Sequence, residues 1–230
     1  MNIKKILAGG AASAMFSVSM LGVASAAHFN VNGSFEDGTN PGSFTTLEAQ
    51  NSSSIENWTV SKGSVDYIGD YWKAADESRS LDLSGNEAGE VTQNLNTRIG
   101  QDYNLIFSMA GNPDNGPSDK VLSATAGGET KTFTFNTTGK NRDTMGWTNK
   151  TVSFVATSTS TKLTFTSLTD GPWGPALDNV RVVAVLKTKE QCKKDGYKIF
   201  LNHAFKNQGD CVSFVQANDN AAGNRKDNTN

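Results

Sequence analysis

The sequence predicts an all-β sandwich carrying a small C-terminal appendage, and three observations predict it. Short β-prone runs alternate apolar and polar residues, no helical periodicity precedes residue 187, and both cysteines lie beyond that point. In order, the runs are Phe44-Thr-Thr-Leu, Trp58-Thr-Val, Ser64-Val-Asp-Tyr-Ile, Arg79-Ser-Leu-Asp-Leu, Tyr103-Asn-Leu-Ile-Phe-Ser-Met and Val121-Leu-Ser-Ala-Thr. They continue with Lys131-Thr-Phe-Thr-Phe, Thr151-Val-Ser-Phe-Val, Lys162-Leu-Thr-Phe-Thr and Leu177-Asp-Asn-Val-Arg-Val-Val. Gly, Asn and Ser bound most of them, as turn formers do. Period two places Phe133 with Phe135, Leu163 with Phe165, and Val180 with Val182 on one face. About ten such strands point to a jelly roll, and roughly 160 residues can bury a core without staples.

Composition narrows the function classes. The 230-residue chain has 22 Gly, 5 Pro, 2 Cys and 2 His, which excludes collagen and coiled coil and disfavours a metal site built from His and Cys. Residues 1–27 read as a secretory signal peptide: Lys4 and Lys5, then an apolar Ala-rich stretch, then Ala24-Ser-Ala26. No second long apolar stretch follows, so the expectation is a secreted protein without a membrane span after cleavage. Loss of Lys4 and Lys5 leaves 19 basic residues against 23 acidic ones, a balance of −4. An acidic body without a basic stripe argues against nucleic acid as a partner.

The charge balance turns basic after residue 186, which divides the chain into a sandwich over 28–186, a module over 187–216 and a polar tail over 217–230 that reads as disordered. Cys192 and Cys211 are the only cysteines, and in an exported chain they are expected to pair. Short helices are expected over 187–194 and 197–205, with a strand at Val212-Ser-Phe-Val. The module reads either as a stapled appendage packed on the sandwich or as a surface-attachment device.

Catalytic signals are absent. His28 and His203 stand beside the cleavage site and in the tail, and the chain has no Gly-x-Ser-x-Gly elbow, His-Glu-x-x-His helix or phosphate-binding loop. The reading is therefore a non-enzyme. A glycosidase needs only two carboxylates, so a polysaccharide-active enzyme stays as an alternative, beside an adhesive protein that binds protein partners. The leading expectation is carbohydrate binding to cell-wall or extracellular polysaccharide. Sugar rings want exposed aromatic faces fringed by hydrogen-bonding side chains. Asp66, Tyr71, Trp72, Arg79, Asn112, Asp114 and Trp173 meet that need, in strand ends and turn-rich segments. Trp72 and Trp173 are the aromatics expected to be exposed, and Trp58 and Trp147 those expected in the core.

A family resemblance rests on Asn32-Gly-Ser-Phe-Glu36, Gly42-Ser-Phe-Thr-Thr, Gly63-Ser-Val-Asp-Tyr-Ile-Gly69, Tyr71-Trp72 and Arg79-Ser-Leu-Asp-Leu83. It extends through Ala110-Gly-Asn-Pro-Asp114, Met145-Gly-Trp147, Leu163-Thr-Phe-Thr-Ser-Leu168 and Gly174-Pro-Ala-Leu-Asp-Asn-Val180. These segments resemble the bacterial choice-of-anchor C family, a galactose-binding-like jelly-roll β-sandwich, and are similar to plant cell-wall proteins of the domain-of-unknown-function 642 family. The resemblance implies an extracellular protein associated with cell surfaces and polysaccharide, and no catalytic activity. It also implies a structural calcium ion shared by Glu36 and Asp178, the acids of the opening and closing motifs. The competing reading leaves both acids exposed or paired with basic residues.

Overall fold

The computed structural model describes residues 29–200 and 205–226; residues 1–27, where a signal peptide is expected, His28, His203 and the last four residues lie outside them. Eleven strands make up the body: β1 (Phe44–Glu48), β2 (Thr59–Lys62), β3 (Ser64–Ile68), β4 (Ser80–Asp82), β5 (Glu90–Asn96) and β6 (Asp102–Gly111), then β7 (Asp119–Ala126), β8 (Glu129–Asn136), β9 (Thr148–Val155), β10 (Ser160–Ser167) and β11 (Pro175–Val185). They form two antiparallel sheets, ordered β1-β3-β4-β11-β6-β9 and β2-β5-β10-β7-β8. The sandwich reading holds.

Alternation builds the core. Tyr103, Leu105 and Phe107 of β6, Leu163 and Phe165 of β10, and Val180 and Val182 of β11 are buried between the sheets. Phe107 meets Phe165 edge to face at 5.0 Å and Phe133 at 5.4 Å. Trp58 is buried as expected, whereas Trp147 is only half-buried, with its Nε1 donating to the Lys73 carbonyl at 3.0 Å. One strand escaped the sequence reading. Glu90–Asn96 contains Gln93 and two asparagines, weak strand formers, and Gln93 spends its side chain on the main chain of Val31, accepting at 2.9 Å and donating at 2.8 Å. On the outer face of the second sheet, Thr59, Thr92, Thr164, Thr125 and Thr130 fall in one cross-strand row.

The outer face of the six-stranded sheet is where buried polar groups gather. Thr46 of β1, Asp66 of β3, Asp82 of β4 and Ala176 of β11 lie in register. Asp82 is fully buried and accepts from the amides of Ser84 and Gly174 at 2.9 and 3.0 Å and from Asn112 Nδ2 at 2.9 Å. Gly174 is required there, since a Cβ would stand 2.3 Å from Ser84 Oγ and 2.6 Å from Asp82 Oδ1. Lys120, also fully buried, donates Nζ to the carbonyls of Asn115 and Trp173, each at 2.7 Å. Burial pushes the Asp82 carboxyl up to about 8 in spite of its three donors. It lowers the Lys120 ammonium too, with the Asp82 charge acting the other way.

β11 bulges between Asp178 and Arg181, with Asn179 at φ 49°. The bulge leaves Asp178 buried on the outer face, where it accepts from the amides of Ala75 and Asp76 at 2.7 and 2.9 Å. Burial raises its carboxyl to about 7. Beside the bulge the N-terminal segment docks: Gly33 O accepts from Val180 N at 2.8 Å, and Asn30 bonds Val180 O and Val182 N through its side chain.

The appendage departs from expectation in one element. Short 3₁₀ turns occupy Lys189–Cys192 and Gly196–Ile199, but Val212–Val215 is helical, within α1 (Gln208–Lys226). That helix also runs through the stretch from Ala217 that composition reads as disordered. The signal for a helix was the i,i+4 pair Cys211 and Val215, both buried, with the Asn207 side chain accepting from the Asp210 amide at 2.9 Å. Cys192 and Cys211 are bonded, at a Cα separation of 5.8 Å. Lys187 pairs with Asp102, and Arg98 donates to the Lys194 carbonyl at 3.1 Å, so the appendage packs on the end of the sandwich. No helix among the described residues is long and apolar enough to cross a membrane.

Replacing Cys192 and Cys211 together by Ser removes a 19-residue cross-link, worth about 3 kcal/mol in the chain-entropy account. Limited proteolysis is expected to cut the appendage faster while the sandwich keeps its far-ultraviolet β signal; loss of that signal refutes separable stability. A pH series checks the buried acids. Unfolded, Asp82 and Asp178 titrate near about 4; folded, they hold protons to about 8 and about 7. The folded state therefore binds more protons across this window, and stability falls as pH rises from 5 to 8. The melting temperature is expected to drop over that range, with a shallower slope in Asp82→Asn. A wild-type melting temperature that rises with pH overturns the assignment.

Candidate glycan pocket

A pocket of about 230 Å³ opens on the outer face of the six-stranded sheet. Thr46, Asp66 and Ile68, on neighbouring strands β1 and β3, share its lining with Phe44, Tyr71 and Trp72, with Gly85 and Asn86, and with Asn112, Pro172 and Trp173. Alternation places the strand residues there: Phe44 and Thr46 share the outward phase of β1 while Leu47 points into the core. Phe44 is 45% exposed. The remaining lining residues come from loops, where binding residues concentrate on a rigid sandwich.

Five of the seven residues singled out from the sequence, Asp66, Tyr71, Trp72, Asn112 and Trp173, line this one pocket. Asp114 stands at its rim, accepting the Tyr71 hydroxyl at 2.6 Å and a two-pronged Arg142 guanidinium at 2.8 and 2.9 Å. Arg142 also lies over the Tyr71 ring, 3.8 Å from its centroid. Desolvation opposes the Asp114 charge, but the bonds from Arg142 and Tyr71 outweigh it and hold the carboxyl below its usual range.

Two expectations need correcting. Trp72 is 4% exposed rather than open; its Nε1 donates to Ser80 Oγ at 2.8 Å, which turns the indole onto the sheet, so it contributes an edge rather than a free face. Arg79 is not in the pocket. Its guanidinium reaches back to Tyr67 Oη at 2.6 Å and Gly38 O at 3.4 Å, tying the segment ahead of β1. Asn112 spends its side chain on Asp82 and on the Asp114 amide, so it positions the rim. Phe44, Asn86, Arg142 and Lys120 went unread. An aromatic in the polar phase of β1 was a legible signal for Phe44; the other three become visible only through long-range contact.

The paired acids of the calcium expectation meet one loop from two sides. Glu36 accepts from the amides of Ser78 and Arg79 at 2.9 and 2.6 Å and from Ser78 Oγ at 2.6 Å. Asp178 takes Ala75 and Asp76, and the Asn179 amide at 2.6 Å. Ca²⁺ wants six to eight oxygens, whereas these carboxylates are filled by N–H and O–H donors. Among the described residues no group of three or more His, Cys, Asp or Glu side chains gathers. The donor set fits anchoring of the 75–79 backbone and does not fit a calcium shell. Glu36→Ala is expected to cost roughly 1.5–3 kcal/mol, the range for hydrogen bonds to a charged group, equally with calcium or with EDTA. A chelator effect on the wild-type melting curve that vanishes in Glu36→Ala would restore the ion.

Comparison with known proteins adds kinship. Halomucin of Haloquadratum walsbyi is 36% identical over 175 residues, which cover 72% of this chain and 2% of halomucin, so this chain spans a small fraction of that relative's length. Among solved structures, the carbohydrate-binding module TmCBM61 in complex with β-1,4-galactotriose matches at 16% identity and a TM-score of 0.43, covering 69% of this chain and 99% of its own. A family 35 carbohydrate binding module from Clostridium thermocellum matches at 18% identity and 0.42, covering 61% and 98%. A family model described as "Protein of unknown function (DUF642)" matches residues 29–183, two-thirds of the chain. The chain belongs to the DUF642 family.

Proposed function

We propose that this is a secreted, non-catalytic protein that binds carbohydrate in the pocket above β1 and β3. The observation that carries the reading is the company of Phe44, Tyr71 and Trp173 with Asp66 and Asn86 around one ring-sized hollow. Aromatic faces stack on the C–H faces of a sugar, and carboxylate and amide oxygens receive its hydroxyls. The volume is below the roughly 300–1,000 Å³ of pockets for drug-sized ligands, which suits one or two sugar residues of a longer chain. The wall is pre-formed, because Tyr71 is held on three sides by Phe44 at 5.0 Å, Arg142 and Asp114. Preorganisation lowers the ordering cost of binding.

The acids favour binding over cleavage. Asp66 and Asp82 are cross-strand neighbours, yet only Asp66 reaches the pocket, and Asp82 is saturated by three donors beneath it. Glycoside hydrolysis requires two carboxyl groups flanking the scissile bond. The leader-like residues 1–27 and the Cys192–Cys211 disulfide support secretion.

Affinity electrophoresis through gels cast with cell-wall and extracellular polysaccharides tests the reading. Retention by at least one polymer is expected. Phe44→Ala and Trp173→Ala should each weaken it about tenfold, the scale of one lost aromatic contact, with the melting curve of Phe44→Ala unchanged. Free migration of the wild-type protein in every gel, or retention indifferent to both substitutions, overturns it.

A further inference from the structure

The open oxygen atoms of the pocket are acceptors, and the indole N–H without a hydrogen bond among the described residues, Trp173 Nε1, carries no charge. Asp66 Oδ1 accepts from Thr46 Oγ1 at 2.6 Å, while Oδ2 has no donor among the described residues. Asn86 donates Nδ2 to Glu48 Oε1 at 3.0 Å, which fixes the amide and leaves Oδ1 without a partner among the described residues. Both open atoms are acceptors. No Lys or Arg side chain lines the pocket. The guanidinium at its rim, Arg142, is matched by Asp114, and Lys120 is committed to two carbonyls below Trp173. Glu48 behind Asn86 adds negative charge around the same space.

We infer that the pocket selects uncharged sugar residues and rejects acidic ones, with Asp66 as the residue that sets this choice. Hydroxyl groups donate to open acceptors. A uronate carboxylate, a sialate or a sulfate offers only acceptors and a negative charge, so it meets unpaired oxygens and repulsion in a partly desolvated site. Rejection of this kind is stronger than any discrimination by size, because a buried acceptor facing an acceptor remains unpaired. Burial also works against the charge of Asp66 and raises its carboxyl, with Thr46 pulling the other way and Glu48 adding to the rise. Ionised, Oδ2 is no partner for a sugar sulfate or carboxylate, whereas a proton on it makes it a donor, so the selection belongs to the ionised form.

The inference rests on the carbohydrate reading, and its test separates the two. An array is printed with oligosaccharide pairs that differ only at C6, hydroxymethyl against carboxylate, and is probed with the intact exported chain. Binding at least tenfold tighter to the neutral member of a pair is expected. Asp66→Asn, whatever it costs in binding of the neutral member, should narrow the ratio to under threefold. Asn86→Lys, at an exposed position, should bring in the acidic member independently of Asp66. Equal binding of both members by the wild type, or a ratio unmoved by both variants, overturns the selection and leaves carbohydrate binding standing. Binding to no glycan on the array overturns both.

Discussion

Asp82 and Lys120 are ionisable side chains buried at the same end of the sandwich, and neither is exposed at all. They form no direct ion pair. Instead each is spent on loops: Asp82 holds the amides of Ser84 and Gly174 and the Asn112 side chain, and Lys120 holds the carbonyls of Asn115 and Trp173. A buried charge is tolerated only where hydrogen bonds replace its water. Their distribution means that the β4–β5, β6–β7 and β10–β11 connections cannot shift separately without stranding one of them. The rim of the pocket, from Asn112 to Trp173, therefore has the rigidity of the sheet below it.

The opposite wall uses the same device with smaller groups. Glu36 and Asp178 grip the amides of residues 75–79, downstream of Tyr71 and Trp72 in the same long connection. Lys73 adds a main-chain bond to Arg142, and Trp147 caps the Lys73 carbonyl. One carboxylate ahead of β1 and one at the β11 bulge thus shape the segment that presents the aromatics. Strength in this fold is invested in holding loops rather than in lengthening strands, since β4 has only three residues.

Much of this was legible from residue order. Alternation located ten of the eleven strands, because side chains of half-buried strands must segregate by face, and it put Asp66, Tyr71 and Trp72 near one another through proximity along the chain. The convergence of Asn112 and Trp173 on the same hollow could be suspected only from loop chemistry. Glu90–Asn96 was missed because its amides serve tertiary bonds, and Val212–Val215 was misread because three β-branched and aromatic residues in four cannot announce that a disulfide and a capping Asn207 will hold them helical. Trp72 was placed correctly in sequence and wrongly in depth, since nothing local specifies that Ser80 will take its indole N–H. Charges paired across fifty residues, such as Lys120 with the Trp173 carbonyl, leave no periodic trace.

The position of β11 has a consequence for how the chain becomes compact. This strand, residues 175–185, lies between β4 and β6, so the six-stranded sheet consists of two disconnected halves, β1-β3-β4 and β6-β9, until it arrives. The N-terminal segment at Asn30 and Gly33 likewise has its partners in Val180 and Val182. A ribosome delivers these partners after the rest of the sandwich, and pairing so distant in sequence is slow to nucleate. Synthesis from the N-terminus thus yields a polypeptide whose six-stranded sheet stays open until residues 175–185 have emerged and closes in a late step.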